Sequence, residues 1–389
     1  MIPYGRQSIG NLDIKNLNKV LKSNWLTQGP LVEKFEKEIC KFVGAKYAVA
    51  TNSASSALHI SCLALGLKSN QYFWTVPNSF VASANCGLHC GAMVDFVDID
   101  ENTWNLSPQI LKYKLDKIKN KKKIPKILIP VHFSGQSTEQ KEIKALSKKY
   151  NFKILEDASH SLGGSYRGEK IGSCKWSDVT VFSFHPVKTI TTAEGGMAVT
   201  NDKKTYKELL RLRNNGITKN LYDFKKKNKS VWYYEQQSLG FNYRMNELEA
   251  SLGLTQLKRI KKFIKKRNLI SKKYMQLLKN LPLQLPLIRK YNYSTFHLFV
   301  VRFKSKLIKN YSYDKFFNQI RKQGIGINLH YLPIHLQPYF RNLGFKKNYC
   351  KNAEGYSNEA ISLPIFNDLK LKDQKKVVNV IKNLISNNK

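Results

Sequence analysis

Acidic side chains are scarce in this chain. Its 389 residues carry 27 Asp and Glu against 66 Lys and Arg, a formal net charge of +39. Such an excess raises the question of a nucleic-acid partner. The basic runs, however, are dispersed (KNKKK at 119–123, KKKNK at 225–229, KRIKKFIKK at 258–266), and no helix-turn-helix, zinc-finger or RNA-recognition signature accompanies them. Lysine far outnumbers arginine, and asparagine and isoleucine are abundant too. The charge therefore reads as compositional drift and predicts no specific nucleic-acid partner. A basic surface can still steer a small anionic substrate towards a cleft. Long apolar runs are also missing: none approaches the roughly 20 residues a membrane span needs. The opening residues, MIPYGRQSIG, hold neither an apolar signal core nor a small-residue cleavage site, so a cytoplasmic protein is expected. Cysteine is sparse, six residues in all: Cys40, Cys62, Cys86, Cys90, Cys174 and Cys350. Cys86 and Cys90 are spaced i, i+4, but no second Cys/His pair follows, which predicts reduced thiols and no metal.

What remains is a globular composition, 42% hydrophobic and 12% aromatic, long enough for a large domain with a smaller one attached. From about 30 to 200, helical and strand patterns alternate. GPLVEKFEKEICKFVG and SASSALHISCLALGL read as helices, and KYAVAT, WTVP, AMVDFVDI, KILIPVHFSG, KILEDA, DVTVFSFH and GGMAVTN as strands. That alternation predicts α/β architecture with a mostly parallel sheet covered by helices. Residues 217–243 have weak periodicity and read as a long excursion. Residues 245–279 read as one long basic helix. The chain thus divides into a large unit over 1–245, a linking helix over 246–280 and a smaller C-terminal α+β unit over 281–389.

Ligands of open α/β sheets bind beyond the carboxyl ends of the strands, and four such ends carry polar chemistry here. KYAVAT leads into Asn52-Ser53-Ala54-Ser55-Ser56, small residues opening a helix. The exposed N–H groups there suit a phosphate, although simple serine capping explains the stretch equally well. WTVP leads into Asn78-Ser79-Phe80, where Phe80 is either core or a stacking plate. KILEDA ends on Glu156 and Asp157, followed by Ser159 and His160. Carboxylates ending a buried strand need partners, and one of them could hold a proton on a heterocyclic nitrogen. VTVFSF leads into SFHPVKTITTAEGG, with a lone Lys188. In a partly dry pocket such an amine loses its proton readily and can condense with an aldehyde. A phosphate cradle, an aromatic plate, a carboxylate and a Schiff-base lysine make up the set that pyridoxal 5'-phosphate (PLP) requires.

EDASH, then 27 residues, then Lys188 in SFHPVKTITTAEGG, then LGFNYRMNELEASLGLTQL, resembles the DegT/DnrJ/EryC1/StrS family of fold-type-I, PLP-dependent sugar aminotransferases, over nearly the whole chain. IPYGRQSI (2–9), NWLTQGP (24–30), WTVPNSFVASANC (74–86) and HYLPIHLQPYF (330–340) are similar to its branch serving pseudaminic acid biosynthesis. The resemblance implies transfer of an amino group from L-glutamate to C4 of a UDP-linked 4-keto-6-deoxy sugar, with another 3- or 4-keto nucleotide sugar as the alternative. It also implies site roles. Lys188 would carry the cofactor and shuttle protons, Asp157 would pair with the ring nitrogen, and Phe80 would stack on the ring. His160 and Gln136 would lie near the ring, and Ser53, Ala54 and Ser183 would hold the phosphate. Asn242 would reach that phosphate from the other subunit of a homodimer. Tyr4, Asn24, Trp25, Leu26, Thr27, His330 and Tyr331 would line the sugar-nucleotide site, the first of them through an N-terminal segment of the large unit. Glu194 is a family feature without a role that the sequence reveals. The turn Lys68-Ser69-Asn70-Gln71 departs from the usual Gly-Asp, though Asn can still make a turn.

Overall fold

A computed structural model describes residues 1–226 and 230–387; the last part of the KKKNK run, 227–229, lies outside the described residues. Seven strands make the central sheet: β1 (Tyr47–Thr51), β2 (Tyr72–Thr75), β3 (Met93–Phe96), β4 (Ile127–Ile129), β5 (Lys153–Asp157), β6 (Val179–Ser183) and β7 (Gly196–Thr200). Their spatial order is β1-β7-β6-β5-β4-β2-β3. β2, β3, β4, β5 and β6 pair in parallel. β7 alone runs antiparallel to both of its neighbours, β1 and β6. A parallel return would need a crossover of a dozen or more residues, usually a helix; the β6–β7 link contains none. Strands ILI of β4 and GMAVT of β7 are buried at every position, as sheets covered on both faces require.

Chemistry explains where the elements stop. KILIPVHFSG was expected as one buried strand, but β4 ends at Ile129 because Pro130 has no N–H for a ladder; its carbonyl still accepts from Asp157 N at 2.9 Å. Two helices, Asn11–Leu21 and Lys203–Arg213, form where the sequence had given no expectation. Asn70 takes a φ of 62°, the left-handed turn that asparagine tolerates best after glycine. The excursion after 216 holds a short hairpin of Ile217–Thr218 with Glu235–Gln236.

The long helix, Glu247–Leu278, starts with a reciprocal cap: Asn246 Oδ1 accepts from Glu249 N at 2.9 Å, and Glu249 Oε2 accepts from Asn246 N at 3.1 Å. Glu247 turns back to accept from Leu31 N and Val32 N, at 2.9 and 3.1 Å, in the first turn of helix Pro30–Val43. One carboxylate thus serves two helix N-termini, where negative charge is favoured. Fully buried Asp13 ties the N-terminal segment to the same long helix through Arg259, Thr255 and Gln256.

The C-terminal unit is an antiparallel sheet of Leu283–Gln284, Phe299–Phe303 and Ala360–Leu363 under helices. Fully buried Arg267, on the long helix, donates to the carbonyls of Phe296, His297 and Ile365 at 3.1–3.2 Å. Burial pushes its guanidinium down to about 10. The chain start does not stay with the large unit: Ile2 bridges Ile325, and Ile365 N donates to Tyr4 O at 3.0 Å. Among the described residues no helix is long and apolar enough to cross a membrane.

Candidate active site

A cavity of about 740 Å³ opens at the carboxyl ends of β1, β5 and β6, closed on one side by the C-terminal unit. It brings together Ser53 and Ala54 after β1, Phe80 after β2, Asp157 and His160 at the end of β5, and Ser183 and Lys188 after β6. Tyr4, His330 and Tyr331 come to it from the chain start and the C-terminal unit. A larger cleft of about 810 Å³ lies between helices Pro30–Val43 and Lys203–Arg213. Its carboxylates are already paired, Glu36 with Arg213, Glu208 with Arg211 and Asp223 with Lys207, and it holds no comparable set of groups.

Ser53 caps helix Ala54–Ala64, its Oγ accepting from Ser56 N at 3.1 Å. That leaves the Ala54 and Ser55 N–H groups without a partner within the helix, and both residues line the cavity. Gly196 makes this approach possible. It sits between Thr51 and Ser183 in the ladder, and a Cβ there would come within 2.4 Å of Ser53 O and 2.6 Å of Ala54 N. The serine cap and the anion cup coexist, because the cap uses the side chain and leaves backbone N–H groups for an anion.

The two carboxylates of KILEDA part company. Glu156 is buried on the far side of the strand, accepting from Thr180 Oγ1 at 2.7 Å. Asp157 lines the cavity and is held from both sides: Oδ2 accepts from Ser83 Oγ at 2.6 Å, and Oδ1 from Ser159 Oγ at 2.6 Å and Ser159 N at 3.1 Å. Ser79 Oγ lies 2.8 Å behind Ser83 Oγ. Ser79, Ser83 and Ser159 were not singled out from the sequence. A small hydroxyl one helical turn after Ser79 is a signal only once the helix is known to face β5.

Lys188 is half-buried in the cavity. Burial pushes its ammonium down to about 8, and Asp157 limits the fall. At pH 7 about one in ten Lys188 side chains is a free amine, against fewer than one in a thousand for an ordinary lysine. Condensation of the protein with an aldehyde at Lys188 should therefore rise with pH to a plateau, with a midpoint near 8. Stopped-flow absorbance during PLP uptake by apoprotein would show it; a rate still climbing steeply at pH 10 would contradict the assignment.

His160 is buried and neutral; burial first, then Lys188 and His330, holds its pKa well below the usual range. Its Nδ1 accepts from Ser134 N at 3.2 Å, so the ring proton lies on Nε2, 3.3 Å from the Tyr331 hydroxyl. Tyr331 accepts there and keeps its own O–H for the cavity. Burial, then Lys188, brings His330 down to about 3. Its Nδ1 lies 2.7 Å from Ser362 Oγ, and its ring packs 5.5 Å from that of Tyr4. His297, whose ring centroid lies 4.3 Å from that of His160, was not foreseen either: one histidine in an apolar strand approach gives no signal.

Three sets of expected residues stand apart. Gln136 does not enter this cavity: its buried amide is spent on Leu287 O and Arg289 N, both at 2.9 Å, joining the two units. Asn24, Trp25, Leu26 and Thr27 are exposed and line none of it, with Trp25 56% and Leu26 50% accessible. Asn242 is exposed as well, with its backbone bridged to Asn214.

The sequence profile of the DegT/DnrJ/EryC1/StrS aminotransferase family matches residues 7–382. A UDP-4-amino-4,6-dideoxy-N-acetyl-beta-L-altrosamine transaminase from Campylobacter jejuni is 37% identical over 377 residues, covering 96% of this chain and 95% of that one. The spore coat polysaccharide biosynthesis protein SpsC of Bacillus subtilis is 34% identical over 386 residues, covering 99% and 97%. Among solved structures, Helicobacter pylori PseC, an aminotransferase of pseudaminic acid biosynthesis, superposes with a TM-score of 0.89 at 30% identity over 99% of each chain.

Proposed function

The chain belongs to the DegT/DnrJ/EryC1/StrS aminotransferase family, and from that premise we propose that it moves the amino group of L-glutamate to C4 of a UDP-linked 4-keto-6-deoxy-N-acetylhexosamine. The product would be UDP-4-amino-4,6-dideoxy-N-acetyl-beta-L-altrosamine. The observation that carries this reading is the single cavity holding Lys188, Asp157 and the Ser53–Ala54 cup beside Tyr4, His330 and Tyr331. The likeness to the Campylobacter transaminase supports it.

The residues present fit PLP. The cup below which Gly196 leaves no room for a Cβ suits a phosphate. Asp157, fixed by Ser83 and Ser159, suits a protonated ring nitrogen. When bound, PLP supplies an aldehyde carbon and an electron-withdrawing ring, which amino transfer requires. The chain does the rest. The Ser53–Ala54 N–H groups and Ser183 would hold the phosphate, and Phe80, 60% exposed at the mouth, would cover a ring face. Lys188 would hold the aldehyde carbon of the group and, when free, would be the side chain able to carry a proton between donor and acceptor carbons. The Tyr331 O–H, oriented by His160, would donate to a sugar oxygen.

The test supplies candidate UDP-4-keto sugars with glutamate and identifies the product by NMR. A 4-amino product of altro configuration is expected. Turnover only with a different keto sugar, or amination at C3, would move the reading to another nucleotide-sugar aminotransferase, a possibility that the similarity to SpsC keeps open.

Residues absent from the chain's own cavity gather elsewhere. Thr27 bridges Asn246, and Glu247 N donates to Leu26 O at 3.0 Å, so exposed residues 24–27 lie against the segment 242–246, of which Asn242 is exposed. These residues would complete the cavity of a second copy in a homodimer. Mixed dimers of Lys188→Ala and Asn242→Ala carry both lesions in one site and none in the other. After subunit exchange, activity should recover to about a quarter of wild type under two-fold symmetry. No gain over the separate variants would end the shared-site model.

A further inference from the structure

β2 leads into Pro77-Asn78-Ser79-Phe80, where Ser79 backs Ser83 on Asp157 and Phe80 stands at the cavity mouth. Asn78 does not line the cavity. It is 1% accessible, and a buried amide must find partners for both its donor and its acceptor ends. It finds them on two other segments. Its Oδ1 accepts from Tyr331 N at 3.1 Å, and its Nδ2 donates to Trp104 O at 3.4 Å. One of these neighbours can only donate and the other can only accept, which fixes the way the amide faces. Beside it, Pro77 O accepts from Ile334 N at 2.9 Å. Residues 77–78 of the large unit are thus stitched at two points to residues 331–334 of the C-terminal unit.

Tyr331 is the residue that this seam governs. The peptide joining it to His330 is held at both polar atoms, since the Tyr356 hydroxyl donates to His330 O at 2.7 Å. Its ring stands at 71° to that of Phe133, centroids 6.3 Å apart, and its hydroxyl lies 3.3 Å from His160 Nε2. Tyr356 and Phe133 are both buried and make a firm floor. The Tyr331 main chain comes with the C-terminal unit, whereas His160 and Lys188 come with the large one. Asn78 is the side chain that joins the two frames at this point.

We propose that Asn78 is a positioning residue for the amino-acceptor step: by holding the Tyr331 main chain against the large unit, it sets where the Tyr331 O–H meets the sugar. The inference rests on reading the cavity as a site of sugar amination. Alanine at 78 would leave Tyr331 N–H without its buried acceptor, so the segment would shift to find another. Misplacing a group that orients a substrate by about 1 Å costs roughly a hundredfold in rate. Asp157 would keep its hold on Ser83 and Ser159, which lie outside this path. The two halves of the reaction should therefore part company.

The test starts both halves from the holoenzyme and reads each as a single-turnover absorbance change. One sample receives L-glutamate, the other UDP-4-amino-4,6-dideoxy-N-acetyl-beta-L-altrosamine. Asn78→Ala should slow the amino-sugar step about ten- to a hundredfold and the glutamate step less than about threefold. Asn78→Asp keeps an acceptor for Tyr331 N–H and should recover most of that loss. Tyr331→Phe removes the hydroxyl, and adding Asn78→Ala to it should cost little more, because the two act through one group. Equal losses in both steps, additive losses in the double variant, or no recovery with Asp would each overturn the proposal. Amide exchange on the holoenzyme needs no sugar. In the unaltered chain the Tyr331 amide should exchange at least about tenfold more slowly than that of exposed Leu332. Asn78→Ala should abolish the difference while leaving Ala158 N, which donates to Val181 O at 2.8 Å, protected. Fast exchange at Tyr331 in the unaltered chain, or no change in the variant, would overturn the proposal whichever nucleotide sugar the protein accepts. Failure of the unaltered protein with this amino sugar would instead end the functional reading, and the exchange result would still decide the join at Asn78.

Discussion

Lys188→Ala should give a folded protein that still takes up PLP but transaminates roughly four to six orders of magnitude more slowly. Uptake should persist because the groups proposed for the phosphate and ring nitrogen lie on other elements: the Ser53–Ala54 cup follows β1, and Asp157 ends β5. Turnover should collapse because one side chain is asked to do two tasks, binding the aldehyde and moving a proton. Among the described residues no other amine lines the cavity, and His160 and His330 are too weakly basic to substitute. Absorbance titration with PLP and single-turnover rates with glutamate would separate binding from chemistry. Ordinary turnover by the variant would remove Lys188 from the mechanism.

Asp157→Asn should lower the rate of glutamate deamination by roughly two to three orders of magnitude while barely changing the melting temperature. The hydroxyl relay behind Asp157 is the reason for the second half of that statement. An Asn amide facing Ser83 reverses the direction of donation: Ser83 Oγ accepts from the amide and donates to Ser79 Oγ, 2.8 Å away. The Asn oxygen still accepts from Ser159. The packing survives and only the charge goes, so the ring nitrogen loses what keeps it protonated. A large fall in melting temperature with an intact rate would instead make Asp157 a structural cap.

How far the sequence reached depends on whether a residue's meaning is local. The ends of β5 and β6 were legible because a buried apolar run stopping at polar residues is a one-dimensional signal. Lys188, Asp157, Ser53 and Ser183 all lie at such ends, and all line one cavity. Ser83 and His297 were not legible, since each acts across the fold, on Asp157 and beside His160. Gln136 follows the end of β4 and was expected near the ring, yet the segment 287–289 takes both ends of its amide. That segment is more than a hundred residues away in sequence, and no pattern near Gln136 announces it. Tyr4 was expected in the site through a segment of the large unit; it arrives there instead by pairing of the chain start with the C-terminal unit. Boundaries erred where backbone chemistry overrides hydrophobicity, as at Pro130.

The reversal of β7 has a kinetic side. Because it runs against β6, the link between them leaves the ligand-facing edge of the sheet and returns to it. Phe184 N donates to Gly195 O at 2.9 Å and Thr192 N to Phe184 O at 3.0 Å, so residues 185–191 are a short arm pinned at both ends to one rigid plate. Such an arm has little slack of its own. Were the amine at its tip to release and recapture a target in every turnover, as proposed, rotation about its own side-chain bonds, on the picosecond-to-nanosecond scale, would suffice. The backbone around it would not need to swing, and the clock of the proposed reaction would be left to slower events elsewhere.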